Sequence, residues 1–325
     1  IGFQPVRSSS ADDRLEAYPT SQPIVTDALA AMEHSLQLFQ KHYNRQSEGY
    51  VTAFLAEVAL WLGDAATART RTDRAWELAA VNRNEGDFIR AARLQGTAAL
   101  RSLVHPSGVA DGSFGSGDPT YDVIHERLHL ALTRVRACQF VEEELPTLIA
   151  LAELHLESAV ATVARPWAES DSGSPRSGER GYEQLAEARR LLDDVWDRAE
   201  RGPYPLFHAD AFNMLARIER TAAVLAPPDS AAAREALSRA GDAALSAYRL
   251  AWLQGPPFAY AFGLSNAEQH LQALGVTPPE LPPFDESNYE PMPDVPILPP
   301  APEEPTPKEQ APKKRSRKRR QPPGK

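Results

Sequence analysis

The chain has 325 residues and a net charge of −9 at pH 7, with 42% hydrophobic and 24% charged residues. This composition is ordinary for a globular protein and is large enough for one or two domains. No apolar run approaches the roughly 20 residues that a membrane-spanning helix needs. The single cysteine, Cys138, excludes an internal disulfide framework and favours a reducing, cytoplasmic setting. We expect Cys138 to be a buried helix residue.

Residues 1–22 are weakly patterned and predict an irregular lead. The first residue is Ile1, and no basic stretch followed by an apolar run marks a signal peptide. This start favours a piece of a longer polypeptide.

Residues 23–275 show helical periodicity, whereas the period-2 runs that indicate strands are nearly absent. Breaks such as Gly63-Asp64 and Gly202-Pro203 end helices, and the segments 105–118, 165–179 and 226–230 predict inserted surface loops. The sequence therefore predicts an all-α protein. The predicted helices are 23–45, 49–62, 64–81, 84–104, 119–138, 142–163, 180–200, 206–225, 230–253 and 259–274.

Small and apolar residues recur in these helices at the spacing of tetratricopeptide repeats (TPR). Small side chains at those positions let the two antiparallel helices of a pair approach closely. The pattern predicts a TPR-like α-α superhelix, a solenoid of antiparallel helix pairs. The residues that carry it are Leu55, Ala56, Ala59, Gly63, Ala68, Ala75, Ile124, Leu128, Ala131, Leu151, Ala152, Ala188, Leu192, Val195, Leu215, Ala216, Ala240, Ala244 and Ala247.

Proline marks a boundary near residue 276. Fifteen of the 29 prolines lie in residues 276–325, and few large apolar residues follow Tyr289. Such a segment buries too little surface to offset the entropy of ordering it, which predicts a disordered, proline-rich tail. Within it, Pro282, Pro283 and Phe284 are candidates for packing back on the helices.

Several stretches of the sequence share a residue pattern with one known family. They are residues 130–136 (LALTRVR), 141–146 (VEEELP), 151–155 (LAELH), 200–211 (ERGPYPLFHADA), 247–252, 255–260 and 281–293. These stretches resemble the C-terminal helical repeat region of bacterial STAND-type signalling ATPases, which are built on NACHT or NB-ARC modules. The loop at 165–179 and the basic terminus depart from that pattern.

The resemblance covers about residues 25–293 and implies a sensor or scaffold that binds a protein or peptide ligand as part of a larger ATPase-containing chain. No Gly-x-x-x-x-Gly-Lys-Ser/Thr phosphate loop occurs in these 325 residues. The expectation is therefore a non-catalytic module with no cofactor of its own.

One helix carries a candidate binding groove. In a repeat solenoid the first helix of each pair lines the inner face, and side chains three or four residues apart point the same way. Two arginines beside one Asp and one Asn would suit an acidic or carboxylate-bearing partner. The same residues also fit a hydrophobic staple followed by a solvated face. The predicted groove residues are Tyr204, Phe207, His208, Asp210, Asn213, Arg217 and Arg220.

The sequence His125-Glu126-Arg127-Leu128-His129 supports an alternative, a zinc-dependent hydrolase. Two histidines one helical turn apart can bind zinc, with the glutamate activating a water. A third ligand is needed, and Glu153 or His155 could supply it only if the next helix folds back suitably. Because the repeat register also leaves both histidines on a flank, we predict no metal site here.

A second alternative concerns the end of the tail, where seven positive charges fall in eight residues. Such a run binds nucleic acid or other anions through phosphate groups, and the absence of interleaved aromatics argues against base stacking. It also fits a solvated tail that aids solubility. The residues are Lys313, Lys314, Arg315, Arg317, Lys318, Arg319 and Arg320.

Overall fold

A computed structural model describes residues 22–104, 121–164, 177–202, 204–256, 258–285 and 287. These residues contain ten α-helices and no strand, which confirms the all-α prediction. The helices are α1 (Gln22–Lys41), α2 (Arg45–Trp61), α3 (Ala65–Asn82), α4 (Glu85–Val104), α5 (Tyr121–Cys138), α6 (Val141–Ala164), α7 (Ser177–Ala199), α8 (Pro205–Leu225), α9 (Ala231–Trp252) and α10 (Ala261–Leu274).

Polar side chains just ahead of several helices explain where those helices begin. Asn44 Oδ1 accepts a hydrogen bond from the Ser47 amide, so α2 starts at Arg45, four residues earlier than predicted. Asp64 caps α3 and Ser230 caps α9 in the same way. The first turn of a helix leaves amide groups without partners, and a cap of this kind stabilises it by about 1 kcal/mol.

The small and apolar residues that the sequence assigns to helix seams are almost all buried. Leu215 is only partly buried, and Gly63 lies in the turn after α2 with φ of 80°. One continuous cluster of buried apolar side chains runs from Ile89 in α4 to Ala236 in α9. The core is therefore a series of shared seams between neighbouring helices.

The helices pack in a regular succession. Each contacts its neighbours in the chain, and α2, α4, α6, α8 and α10 also contact one another in that order. We call these five helices the even row. Their contacts place residues distant in sequence on one face of the molecule.

The close approach of α4 to α5 depends on Gly96. A Cβ atom at this position would lie 2.6 Å from Leu128 Cδ2, inside van der Waals contact. We expect Gly96→Ala to lower the free energy of unfolding, because overpacking costs about 1–3 kcal/mol while alanine regains only about 1 kcal/mol of helix propensity. Urea denaturation measures the difference.

Gly241 in α9 is the matched control for this substitution. A Cβ there would meet only Val276 Cγ2, at 3.9 Å, so Gly241→Ala should leave stability unchanged or raise it. Equal midpoints for the two variants would contradict the tight α4–α5 seam.

The prediction for Cys138 is wrong, because the cysteine is exposed. The buried row of α5 runs through Ile124, Leu128 and Val135, and its spacing reaches position 138. However, α5 ends at Cys138, and Gln139 takes a left-handed conformation with φ of 55°. The chain thus turns away before this side chain is covered.

The helical unit extends beyond the predicted boundary at residue 276. Trp252 Nε1 donates a hydrogen bond to the Pro282 carbonyl at 2.9 Å, and the Phe258 and Phe284 ring centroids lie 4.6 Å apart. The chain accordingly divides into the units Ile1–Phe284 and Asp285–Lys325. Packing of Pro282 and Phe284 on the helices matches the sequence-based expectation.

Other sequence predictions fall outside the described residues. These are the irregular lead before residue 22, the loops 105–118 and 165–176, and the tail from residue 288. Helix α7 already begins at Ser177, so residues 177–179 belong to a helix and not to the predicted loop at 165–179.

Candidate functional site

Four helices of the even row, α2, α4, α6 and α8, line an open cavity of about 480 Å³. Aromatic and proline side chains form its apolar walls, and arginine and glutamate side chains form its polar walls. Its lining residues are Phe54 and Glu57 from α2, Arg90 and Arg93 from α4, Glu142, Glu143 and Pro146 from α6, and Tyr204, Pro205, Leu206 and Phe207 at the start of α8.

Glu143 joins the polar wall of this cavity. Its two carboxylate oxygens accept hydrogen bonds from Arg90 Nε at 2.5 Å and Arg93 Nε at 3.0 Å. Arg93 also donates to Glu57 at 3.2 Å. The side chains of Glu143 and Arg93 are only 4% and 7% exposed. Burial alone would lower the pKa of Arg93, but the charges of Glu143 and Glu57 outweigh it and raise that pKa.

Arg90 also contacts the apolar wall. Its guanidinium carbon lies 5.2 Å from the Tyr50 ring centroid and 5.3 Å from the Phe54 ring centroid. A guanidinium at this distance from an aromatic face is attracted by the ring quadrupole. The arginine is therefore held by a carboxylate and two rings, which fixes the shape of the cavity wall.

A second ion-pair network lies further along the even row. Arg217 of α8 donates to Glu153 at 2.8 Å and to Glu157 at 2.6 Å, and Arg101 of α4 pairs with Glu153 at 3.0 Å. Burial raises the pKa of Glu157, although Arg217 acts in the opposite direction. These contacts tie α4, α6 and α8 together.

Arg220, one turn beyond Arg217, has a different environment. Its Nη1 lies 3.3 Å from His270 Nδ1 of α10. A guanidinium only donates hydrogen bonds, so this imidazole nitrogen accepts and carries no proton. Burial, and then the cations Arg220 and Arg217, lower the pKa of His270 to about 3. Within the described part of the chain, Arg220 pairs with no carboxylate.

Asp210 meets Tyr260 at the junction of α8 and α10. The Tyr260 hydroxyl lies 3.1 Å from both carboxylate oxygens. Burial raises the pKa of Asp210 to about 7, and the tyrosine hydrogen bond offsets only part of that shift. Next to it, Asn213 Nδ2 donates to the Gly263 carbonyl at 2.9 Å, while its buried Oδ1 has no partner in the described region.

The predicted groove residues thus separate into different settings. Tyr204 and Phe207 line the cavity, whereas His208 is half-buried outside its lining. Asp210 and Asn213 bind α10, and Arg217 is occupied by glutamates of α6. Arg220 is half-buried and contacts His270 rather than a carboxylate in the described part of the chain.

Sequence reasoning missed the residues that α2, α4 and α6 contribute. Arg90 and Arg93 stand three residues apart on a predicted helix, and Glu142 and Glu143 begin the next inner helix. The sequence could have pointed to these residues, because charged side chains recur on each of these predicted helices. Their pairing partners were not readable, because Glu143 lies 53 and 50 positions after its partners Arg90 and Arg93.

The histidines of the zinc motif lie on the exposed surface of α5. The ring centroids of His125 and His129 are 4.1 Å apart, and His155 of α6 lies 6.0 Å from His125. Burial and then His155 lower the pKa of His125, and burial and then His125 lower that of His129. No group of three metal-ligating side chains in the described residues is arranged to hold an ion.

Comparisons of the sequence with family models and with curated proteins find no match. The resemblance to STAND sensor regions therefore stays a prediction. None of the described helices is long and apolar enough to cross a bilayer. The basic cluster 313–320 lies outside the described residues, and anion or nucleic-acid binding by it stays a prediction.

Proposed function

We propose that this chain is a non-catalytic protein-interaction module. In this proposal its helix pairs form a TPR-like superhelix, and the even row forms the inner face that binds an extended segment of a partner protein. The cavity between α2, α4, α6 and α8 carries the proposal, because it combines apolar walls with polar groups already fixed by ion pairs. Such preorganised sites lose little entropy when they bind a ligand.

The mixture of side chains supports a peptide as the ligand. Phe54, Tyr204 and Phe207 offer aromatic surface, and Leu206 at the cavity is 41% exposed. Aromatic and aliphatic anchors in a pocket carry most of the binding energy of protein interfaces. We further propose that the module is the sensor of a bacterial STAND-type ATPase, in which a missing nucleotide-binding module reads its occupancy.

Selection of displayed random peptides on the purified chain tests the binding proposal. We expect enriched peptides whose affinity falls about tenfold in Leu206→Ala, since loss of a buried leucine contact costs about 1.5 kcal/mol or more. Fluorescence anisotropy of a labelled selected peptide measures the affinity.

The control is Leu237→Ala, which removes a leucine that is 45% exposed on α9, outside the even row. The Leu237→Ala variant should bind the selected peptide with the same affinity as the parent chain. Failure to enrich any peptide, or equal loss in both variants, would count against binding at the cavity. The STAND proposal is tested separately by the coding sequence upstream of Ile1, which we expect to contain a phosphate-binding loop.

A further inference from the structure

We infer that Arg220 and His270 form an anion subsite on the even row, which binds a carboxylate group of the ligand. The inference rests on the proposed function for the identity of that ligand, a carboxylate-bearing peptide. It differs from the cavity proposal in residues, in place along the helices and in the chemistry recognised.

The first observation is the unbalanced charge of Arg220. The arginines Arg90, Arg93, Arg101 and Arg217 of the even row each contact a glutamate. Arg220 contacts a neutral imidazole instead, although it is half-buried. Removing a cation from water without an opposite charge is unfavourable, and a bound anion would correct it.

The second observation is the surplus of positive charge around this position. Arg217 is close enough to lower the pKa of Arg220, after burial itself. Among the described residues, this region holds three arginines (101, 217 and 220) and two glutamates (153 and 157). Burial raises the pKa of Glu157. An approaching carboxylate would thus meet a net positive field in a chain whose overall charge is −9.

The third observation is the geometry of the donors. His270 is 8% exposed and its Nδ1 fixes one nitrogen of the guanidinium at 3.3 Å. The other N–H groups of Arg220 stay available, and a guanidinium binds a carboxylate through two parallel hydrogen bonds. His270 therefore acts as a positioning residue that holds one nitrogen of the guanidinium and leaves the others for the ligand.

Titration of the full chain with glutarate, followed by calorimetry at low ionic strength, tests the subsite without a peptide. We expect saturable binding that weakens about tenfold or more in Arg220→Gln, because a charge-assisted bidentate contact contributes about 1.5–3 kcal/mol. Arg220→Lys should retain part of the affinity. Circular dichroism confirms that each variant is folded.

The matched control is Arg249→Gln, which removes the same charge from an exposed position on α9. It should leave glutarate affinity unchanged. Equal weakening in Arg220→Gln and Arg249→Gln, or no saturable binding, overturns the subsite. Binding of inorganic phosphate in place of glutarate overturns the carboxylate assignment. The two proposals can fail separately. If Arg220→Gln abolishes glutarate binding but the peptide selection enriches nothing, the subsite is supported and the peptide-binding proposal is rejected.

Discussion

Glu143→Gln is expected to lower the free energy of unfolding by about 3–5 kcal/mol, the usual cost of leaving buried charges without their partner. The carboxylate pairs with both Arg90 and Arg93, and the Glu143 and Arg93 side chains are almost completely buried. Glutamine preserves the shape of the side chain and removes the charge. Equilibrium denaturation in urea at pH 7 measures the change.

Glu142→Gln provides the comparison at the adjacent position. Glu142 lines the same cavity but is exposed, so its substitution should change stability by less than about 0.5 kcal/mol. A double-mutant cycle that combines Glu143→Gln with Arg93→Gln should give a coupling energy above about 1 kcal/mol. Similar losses for the two single glutamate variants would show that the ion pair adds little to the fold.

Asp210→Asn is expected to stabilise the protein at alkaline pH. The pKa of Asp210 rises from 3.8 to about 7 on folding because the carboxyl is buried. The folded state therefore holds this proton more tightly, and stability falls as pH rises from about 4 to 7 and then levels off. Asparagine carries no charge, so the variant should gain roughly 2–4 kcal/mol at pH 8.

The pH dependence separates this effect from a simple packing change. Asparagine keeps an oxygen that accepts the Tyr260 hydroxyl hydrogen bond, so the gain should vanish near pH 4. Asp242→Asn, at an exposed position on α9, should show no such pH-dependent gain. Thermal unfolding of the three proteins between pH 4 and pH 8 measures the trend, and a gain independent of pH would rule out titration of Asp210 as its cause.

The fold was accessible from sequence because helix formation here is a local property. Ala56, Ala152 and Ala216 each follow a leucine within a predicted helix, and each is fully buried. Helix ends were less accessible, because they depend on single contacts. The cap at Asn44 starts α2 early, and the left-handed Gln139 exposes Cys138. Neither effect appears in a periodicity of three to four residues.

The candidate binding site could be predicted only in part from the sequence. The residues Tyr204, Phe207 and Arg220 could be named as candidates because they lie at the start of α8 or within it. The role of Arg217 could not be read, because the glutamates that occupy it lie 64 and 60 positions earlier in the chain. Long-range pairing decides which charges remain available, and a single sequence does not record it.

Contact of each helix mainly with its neighbours has a mechanical consequence. We expect a force applied at one end of the described helices to load first the seam nearest to that end, because each of these helices mainly contacts those one or two positions away from it in the described part of the chain. We expect neighbouring helices to separate one seam at a time under such a force. The ion-pair network of Glu143 joins α2, α4 and α6, and that of Arg217 joins α4, α6 and α8. We expect these networks to make the middle seams the most resistant to separation.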